Sequence, residues 1–572
     1  MQISEQKKRI AIVGGGPSGL FIYKRLIEAG YQDIEISIFE KKNQLGVGMP
    51  YSVAGANTEH ITNVSDNEIP EIVNSISDWI KNAPEELLGR FNITAANFNE
   101  FKVLPRLLFG EYLSAQFQLL LAKAKILGIV THVRLAVTVV DIIDEPLQNE
   151  VKINLGVGKL LTFDQVVICS GHNWPIKFEG KVDGYFDSPY PPAKLDLKLN
   201  HAVAIKGSSL TAIDAIRTLA RSNGSFKSEK DGFISYQLAP GSEQFRLVMH
   251  SRNGLLPAVR FHLEDSHLRN DSLLTEAELE QHRIANGGFL SLDYLFEKNF
   301  KEMFPEKRPD FYLKIKDLTI EDFVSMIMDF REHIAPFQLL KAEYEEAEKS
   351  IRRHESVYWK EMLAVLSFAM NYPAKYLSAE DMIRLQKVLM PLISIVIAFI
   401  PQNSCRELLA LHDAGVIDII AVGNDGEAVP AEDEGINYQY TNEQGEDVTV
   451  HFKTFVDCVG QPHLSYQEFP FRSLLGQNVI SEAKLKFKDE AKGREALNAG
   501  NKKVEKAGNS FLLKVPGIAI NDYYQVVDGK GAANNRLYIM SVPYIGGFNP
   551  DYSGLDFCEA ASLKIVKSVF SR

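Results

Sequence analysis

The feature that most constrains this chain is a glycine cluster, Gly14, Gly16 and Gly19. It lies between a β-rich run, Arg9 to Val13 (RIAIV), and a helical stretch, FIYKRLIEAG, that ends at Gly30. Strand, tight turn and helix in that order open a Rossmann unit, and a second strand, Ile34 to Phe39, ends at Glu40 about twenty residues beyond Gly19. Each glycine has its own task. Gly14 permits the turn, Gly16 lets backbone approach a diphosphate at the helix N-terminus, and Gly19 lets helix and strand pack closely. Pro17 and Ser18 complete the first helical turn, and Glu40 is placed to accept hydrogen bonds from an adenosine ribose.

A second strand-turn-helix begins at Ala202 to Lys206 (AVAIK) and continues through Gly207, Ser208, Ser209, Leu210, Thr211 and Ala212 into IDAIRTLARS. Ser209 and Ala212 stand at the second and third glycine positions, so the segment reads either as a dinucleotide turn or as a structural one. Ser251 and Arg252 follow the next strand, FRLVMH, where a ribose 2′ substituent would lie. An arginine there suits the 2′-phosphate of NADP, and the alternative is a solvated loop arginine.

At 572 residues the chain needs several domain-sized units. The strand-like VTVVDIID, VKINL and LLTFDQVVICSG form an antiparallel meander of the kind that decorates FAD-binding Rossmann domains. From about Leu268 to Glu407 the apolar period turns helical, and strand-like segments return at IDIIAVG, VTVHFKTFVDCVG and RLYIMSV before a final helix. The expected architecture is α/β, with two Rossmann-type dinucleotide-binding domains and a helical insertion. Residues 1–200 with 456–572 are read as a discontinuous FAD-binding domain and 201–267 with 408–455 as a discontinuous NAD(P)-binding domain. Residues 268–407 are read as the helical insertion and candidate substrate domain.

Several classes of function are excluded. With 62 Lys plus Arg against 74 Asp plus Glu, the formal charge of -12 repels nucleic acid and anionic lipid. The apolar run Val388 to Ile400 is too short to span a bilayer and reads as a buried helix. MQISEQKKRI lacks a secretory apolar region, so the expected location is cytoplasmic. Cys169, Cys405, Cys458 and Cys558 form no C-x-x-C pair, which argues against a zinc site or a redox dithiol and for small core residues.

On GGGPSG, VLPRLLFGEYL, CSGHNWP, YFDSPYPPAKL, AVAIKGSSLTAIDA and HSRNGLLPAVR, together spanning roughly Arg9 to Arg260, the chain resembles the YdhS-like FAD/NAD(P)-binding proteins. These are related to class B flavin monooxygenases. The resemblance implies a glutathione-reductase-like FAD domain beside an NADP domain, with FAD and NADPH as cofactors. In Ile61 to Ser65 it matches Asn63 to an asparagine that faces the flavin and supports a C4a-(hydro)peroxyflavin, against the alternative of a turn-forming asparagine. It makes Gly171 a flexible junction between the two domains, and His172 and Trp174 linker residues that pack. The terminal Gly-Asp of the wider pattern is replaced by Val542-Pro543. Gly546, Gly547 and Gly554 in the following loop would present backbone to the flavin, and Asp551 would stand in for the missing carboxylate.

The implied activity is NADPH-driven monooxygenation of a small organic substrate by molecular oxygen. The alternatives are an NADPH-dependent flavin reductase without oxygen insertion, and an FAD-binding redox sensor whose helical insertion docks a partner.

Overall fold

The structure is a computed structural model that describes residues 7–156, 158–229, 234–264, 273–432, 434–442, 444–550 and 554–571. Two parallel sheets organise it. The first runs in the order Gln525–Val527, Ala533–Ile539, Gln165–Ile168, Lys8–Val13, Ile34–Phe39, Val130–Arg134, antiparallel only in its first pair. The central strands are almost continuously apolar because both faces are covered, as parallel sheets require; Ile10, Ala11 and Ile12 are fully buried. The expected meander is present as Asp141–Glu145, Glu150–Asn154 and Leu160–Phe163, and in the first two strands buried and part-exposed residues alternate.

The second sheet has the order Ile417–Ala421, Arg246–Ser251, Ala202–Lys206, Thr454–Asp457, Tyr185–Phe186, parallel throughout. This corrects the expected boundaries. Tyr185–Phe186 pairs with Thr454–Asp457, so residues near 185 and the strand end at 456–457 belong to the second unit, because backbone pairing and not chain position decides membership. The polar stretch after Arg221 forms a hairpin of Gly224–Ser228 with Ile234–Leu238.

Between the paired strands Arg246–Ser251 and Ile417–Ala421 of the second unit, the chain runs through helices from Glu276–Ala285 to Met390–Val396. Four of them start at Thr275, Ser291, Thr319 and Ser378, whose side chains accept a backbone N–H two or three residues into the helix. Each such cap contributes about 0.5–2 kcal/mol. Met362, Leu363 and Leu366 are core residues, as their spacing predicts. The apolar run Val388 to Ile400 is buried in large part but is not one helix. A wide turn over Leu385–Leu389 gives way to Met390–Val396, with Pro391, which has no N–H to donate, at the start of the second piece. The apolar core of this middle region is continuous with that of the first unit, and the second unit has its own. No helix among the described residues is long and apolar enough to cross a membrane.

Candidate cofactor site

The first glycine turn joins Lys8–Val13 to the helix Pro17–Glu28. Gly14 has φ +111°, and a side chain there would strike the Cys169 carbonyl; one at Gly19 would strike the Gly14 carbonyl. Gly16 is the helix N-cap and offers no side-chain acceptor, and a Cβ on it would lie 3.0 Å from the Gly48 Cα. A helix start with unsatisfied N–H groups and a bare approach is what a diphosphate needs. Glu40 is buried beside this turn, its two carboxylate oxygens accepting the Gly15 N–H at 2.8 Å and the Lys42 N–H at 2.9 Å.

The start of the last helix, Leu555–Phe570, lies alongside. Ser18 Oγ is 3.5 Å from Cys558 Sγ, and the N-cap Gly554 again has no capping side chain. The loop before it has its own steric reasons for glycine. The ring of His463 fills the space beside Gly546, and Val515 with Pro516 fills that beside Gly547, so the protein's own packing demands glycine at both positions. Asp551 lies outside the described residues. Gly171 has no positive φ, and a Cβ on it would meet open space, so neither backbone nor packing requires glycine at this junction. The junction is fixed instead by a zipper between the two linkers. Asn173 N–H donates to Gln461 Oε1 at 2.8 Å, Gln461 Nε2 to the Asn173 carbonyl at 2.7 Å, and Trp174 Nε1 to the Gly460 carbonyl at 3.1 Å. His172 stacks on Trp174, and burial pushes its imidazole down to about 4.

The second turn repeats two backbone bonds of the first. Gly14 N–H donates to the carbonyl of Phe39 at the end of the neighbouring strand, and Gly207 N–H donates to that of His250. Cys169 N–H donates to the Val13 carbonyl, and Cys458 N–H to that of Lys206. Gly207 has φ +105°, and a Cβ on it would sit 2.9 Å from the Cys458 carbonyl. Ser209 is the N-cap of Leu210–Asn223 yet its hydroxyl makes no cap bond, so the helix start is as free of a capping side chain as that of Pro17–Glu28. Ser208 differs, since its hydroxyl is already spent on the Leu255 carbonyl at 2.7 Å. Ser251 ends the strand Arg246–Ser251, and Arg252, exposed, follows it.

Asn63 sits elsewhere, on a segment pinned between the two units. Thr62 N–H donates to the Leu104 carbonyl at 2.8 Å, and the fully desolvated Arg260 grips the Asn63 carbonyl together with Ser65 and Glu68. Burial lowers the Arg260 guanidinium to about 10. These bonds fix the backbone at Asn63 and run to neither glycine turn.

Comparison with known proteins gives this geometry its setting. Residues 11–173 match the family described as FAD-NAD(P)-binding, and residues 275–397 match the YdhS-like middle domain. The chain thus carries an FAD-NAD(P)-binding domain and a YdhS-like middle domain. The uncharacterised protein YdhS of Escherichia coli (strain K12) is 29% identical over 513 residues, covering 86% of this chain and 92% of that one. Among solved structures, the FAD-bound cadaverine monooxygenase DfoA of Erwinia amylovora aligns over 98% of this chain and 94% of its own, at 10% identity and TM-score 0.48. L-lysine 6-monooxygenase of Pseudomonas syringae aligns over 98% of both chains at 12% identity and TM-score 0.46. The bacillithiol disulfide reductase of Staphylococcus aureus also aligns over 98% of both, at 11% and 0.42.

The first glycine turn fits FAD on the structure's own terms: a helix start without a cap, a cradle that a Cβ would narrow, and a braced carboxylate where a ribose would lie. Sequence reasoning missed the groups that hold the two units together. Arg106 Nη1 lies 2.6 Å from Asp214, which also accepts the Tyr190 hydroxyl at 2.8 Å, and His60 Nε2 lies 3.1 Å from the Asp214 carbonyl. Burial alone would raise the Asp214 carboxyl, but Arg106 and its other donors hold it below the ordinary value. Arg106, Asp214 and Arg260 all stood inside motifs singled out above, VLPRLLFGEYL, AVAIKGSSLTAIDA and HSRNGLLPAVR, and their charge at otherwise apolar positions was the available signal.

Proposed function

We propose that this protein is an FAD-dependent oxidoreductase reduced by NADPH, and that it inserts one atom of molecular oxygen into a small organic substrate. The observation that carries the reading is the repeated backbone geometry of the glycine turn. Two uncapped helix starts at the carboxyl edges of two parallel sheets are where a pair of dinucleotides would dock. The domain division, with the corrections above, and the roles of the individual site residues belong to the same proposal.

Bound FAD supplies the hydride acceptor and the reaction with oxygen. The chain supplies the rest. The helix starting at Pro17 and Glu40 hold the adenosine end, and the helix starting at Leu555 offers its N–H groups to the flavin ring. Arg252 pairs with the 2′-phosphate of NADPH. Asn63, its backbone clamped by Arg260, offers an amide that donates a hydrogen bond to the reacting oxygen without releasing a proton. The interface around Arg106 and Asp214 keeps the second helix start facing the first unit.

Anaerobic stopped-flow reduction by NADPH and by NADH, followed by mixing with oxygenated buffer, tests the reading. Rapid bleaching by NADPH and a spectral transient between reduced and oxidised flavin are expected. Bleaching without the transient assigns the protein as a reductase. Failure of both nucleotides to bleach the flavin removes the second dinucleotide site.

A further inference from the structure

The middle region meets the first unit across a shallow, solvent-open cavity of about 350 Å³ that none of the cofactor residues lines. Lys375 and Tyr376 come from the turn Pro373–Tyr376, and Ile520 to Tyr523 come from the loop ahead of Gln525–Val527. Phe548 comes from the loop before the last helix. Gln525 pairs with Tyr538, and Ile539 N–H donates to the Tyr524 carbonyl, so this loop stands at the carboxyl end of Ala533–Ile539. That is the sheet edge from which the first glycine turn also emerges.

The charge around the cavity is unevenly placed. The Lys375 side chain is 9% exposed and lies 2.9 Å from Asp522, which also accepts the Tyr376 hydroxyl at 2.6 Å. Lys564 sits 3.1 Å above the Tyr372 ring and Arg283 3.6 Å above that of Tyr376. The partners of these two cations, Glu276 and Glu280, have side chains 72% and 54% exposed. Lys564 and Arg283 therefore lie over the rings that neighbour Lys375, while two of the three balancing carboxylates point to water. Lys375 uses one N–H on Asp522 and one on the Tyr372 carbonyl at 3.0 Å, and its Nζ otherwise faces the Tyr372 ring, whose centre is 4.2 Å away, a weaker partner than a carboxylate oxygen would be.

We propose that this cavity is the substrate subsite and that it takes an organic carboxylate with an apolar body. A single buried ammonium donor suits one carboxylate oxygen, whereas a phosphate dianion calls for several donors. Ile520, Tyr523 and Phe548 give the apolar body its walls. The volume lies at the small end of ligand sites. The proposal rests on the reading that the flavin occupies the first unit's carboxyl edge.

The test is calorimetric titration of the purified full-length protein with benzoate, with benzylamine of the same shape and opposite charge, and with acetate. Benzoate is expected to bind more tightly than acetate, and benzylamine not to bind. Lys375→Met should weaken benzoate at least tenfold, while Asp522→Asn, which frees Lys375 from its internal anion, should tighten it. A gain of affinity cannot come from misfolding, so the second variant decides the matter if the first is unstable. Preferential binding of benzylamine, or benzoate affinity indifferent to Lys375→Met, overturns the site. Heat without a change in the visible flavin spectrum supports the site and overturns its link to the flavin.

Discussion

Arg252 offers the most direct test of cofactor choice. It is exposed, it follows the strand Arg246–Ser251, and its backbone is fixed by the Gly423 N–H donating to its carbonyl at 3.0 Å. No ion pair among the described residues involves its guanidinium, so Arg252→Gln removes no internal contact and should move stability by less than about 0.5 kcal/mol. A hydrogen bond to a charged group contributes about 1.5–3 kcal/mol, and about 1.4 kcal/mol is a factor of ten. The substitution should therefore weaken NADPH by roughly 10-fold to 150-fold, with the lower figure favoured because the site is solvated. NADH, which has no 2′-phosphate, should be untouched. The Kd values come from the dependence of flavin bleaching rate on nucleotide concentration under anaerobic conditions, in wild type and variant. The wild-type preference for NADPH should also shrink as salt rises. Equal loss for both nucleotides, or none for NADPH, would refute the assignment of the 2′-phosphate to Arg252.

Two further outcomes follow from the geometry. Gly19→Val places a side chain against the Gly14 carbonyl and must lift the helix off its strand, so the purified variant should lose flavin absorbance relative to protein. Gly89→Ala, at a position facing open space, should retain it, and a fully yellow Gly19→Val protein would contradict the steric argument. His250 is 1% exposed and stacked on Tyr438, and burial pushes its imidazole down to about 4; the nearby backbone of Ile205 and Val248, not in hydrogen-bonding geometry, opposes this only in part. Its neutral form is kept in the fold while the unfolded chain protonates near 6.5. Stability is thus intact above pH 6.5 and falls as pH drops toward 4, with about 2 kcal/mol lost by pH 5. His250→Phe should remove that part of the acid loss, read from urea midpoints at pH 7 and pH 5, and an unchanged difference between the two would sink the account.

What was legible in the sequence was local. The first turn shows itself because three steric demands fall within six residues, and each selects glycine for a reason that a collision with a named carbonyl or Cα now makes explicit. The capped helices of the middle region were legible for the same reason, since period and cap residue lie within a few positions of each other. The interface around Arg106 and Asp214 was not, because those partners are 108 residues apart and the pairing exists only once both units are built. Boundaries suffered likewise, since Tyr185–Phe186 reaches its sheet by pairing with a strand near residue 455.

The second turn shows how a weak motif becomes a strong one in three dimensions. Ser209 in place of glycine left AVAIKGSSLTA ambiguous in sequence, and composition alone made Cys169 and Cys458 two small core residues. The fold gives those cysteines the same task. Each follows a central strand, donates its N–H to the end of the strand beside it, and closes its carbonyl over the glycine that must turn. A structural turn has no need to reproduce that arrangement and also to leave the Ser209 hydroxyl uncommitted at a helix start. Serine at this N-cap position ordinarily satisfies one of the free N–H groups behind it, and its failure to do so here keeps those donors available to a phosphate. The substitution that weakened the fingerprint therefore leaves this helix start as free of a capping side chain as the first, and on the proposed reading the diphosphate shares its space with the Ser209 side chain.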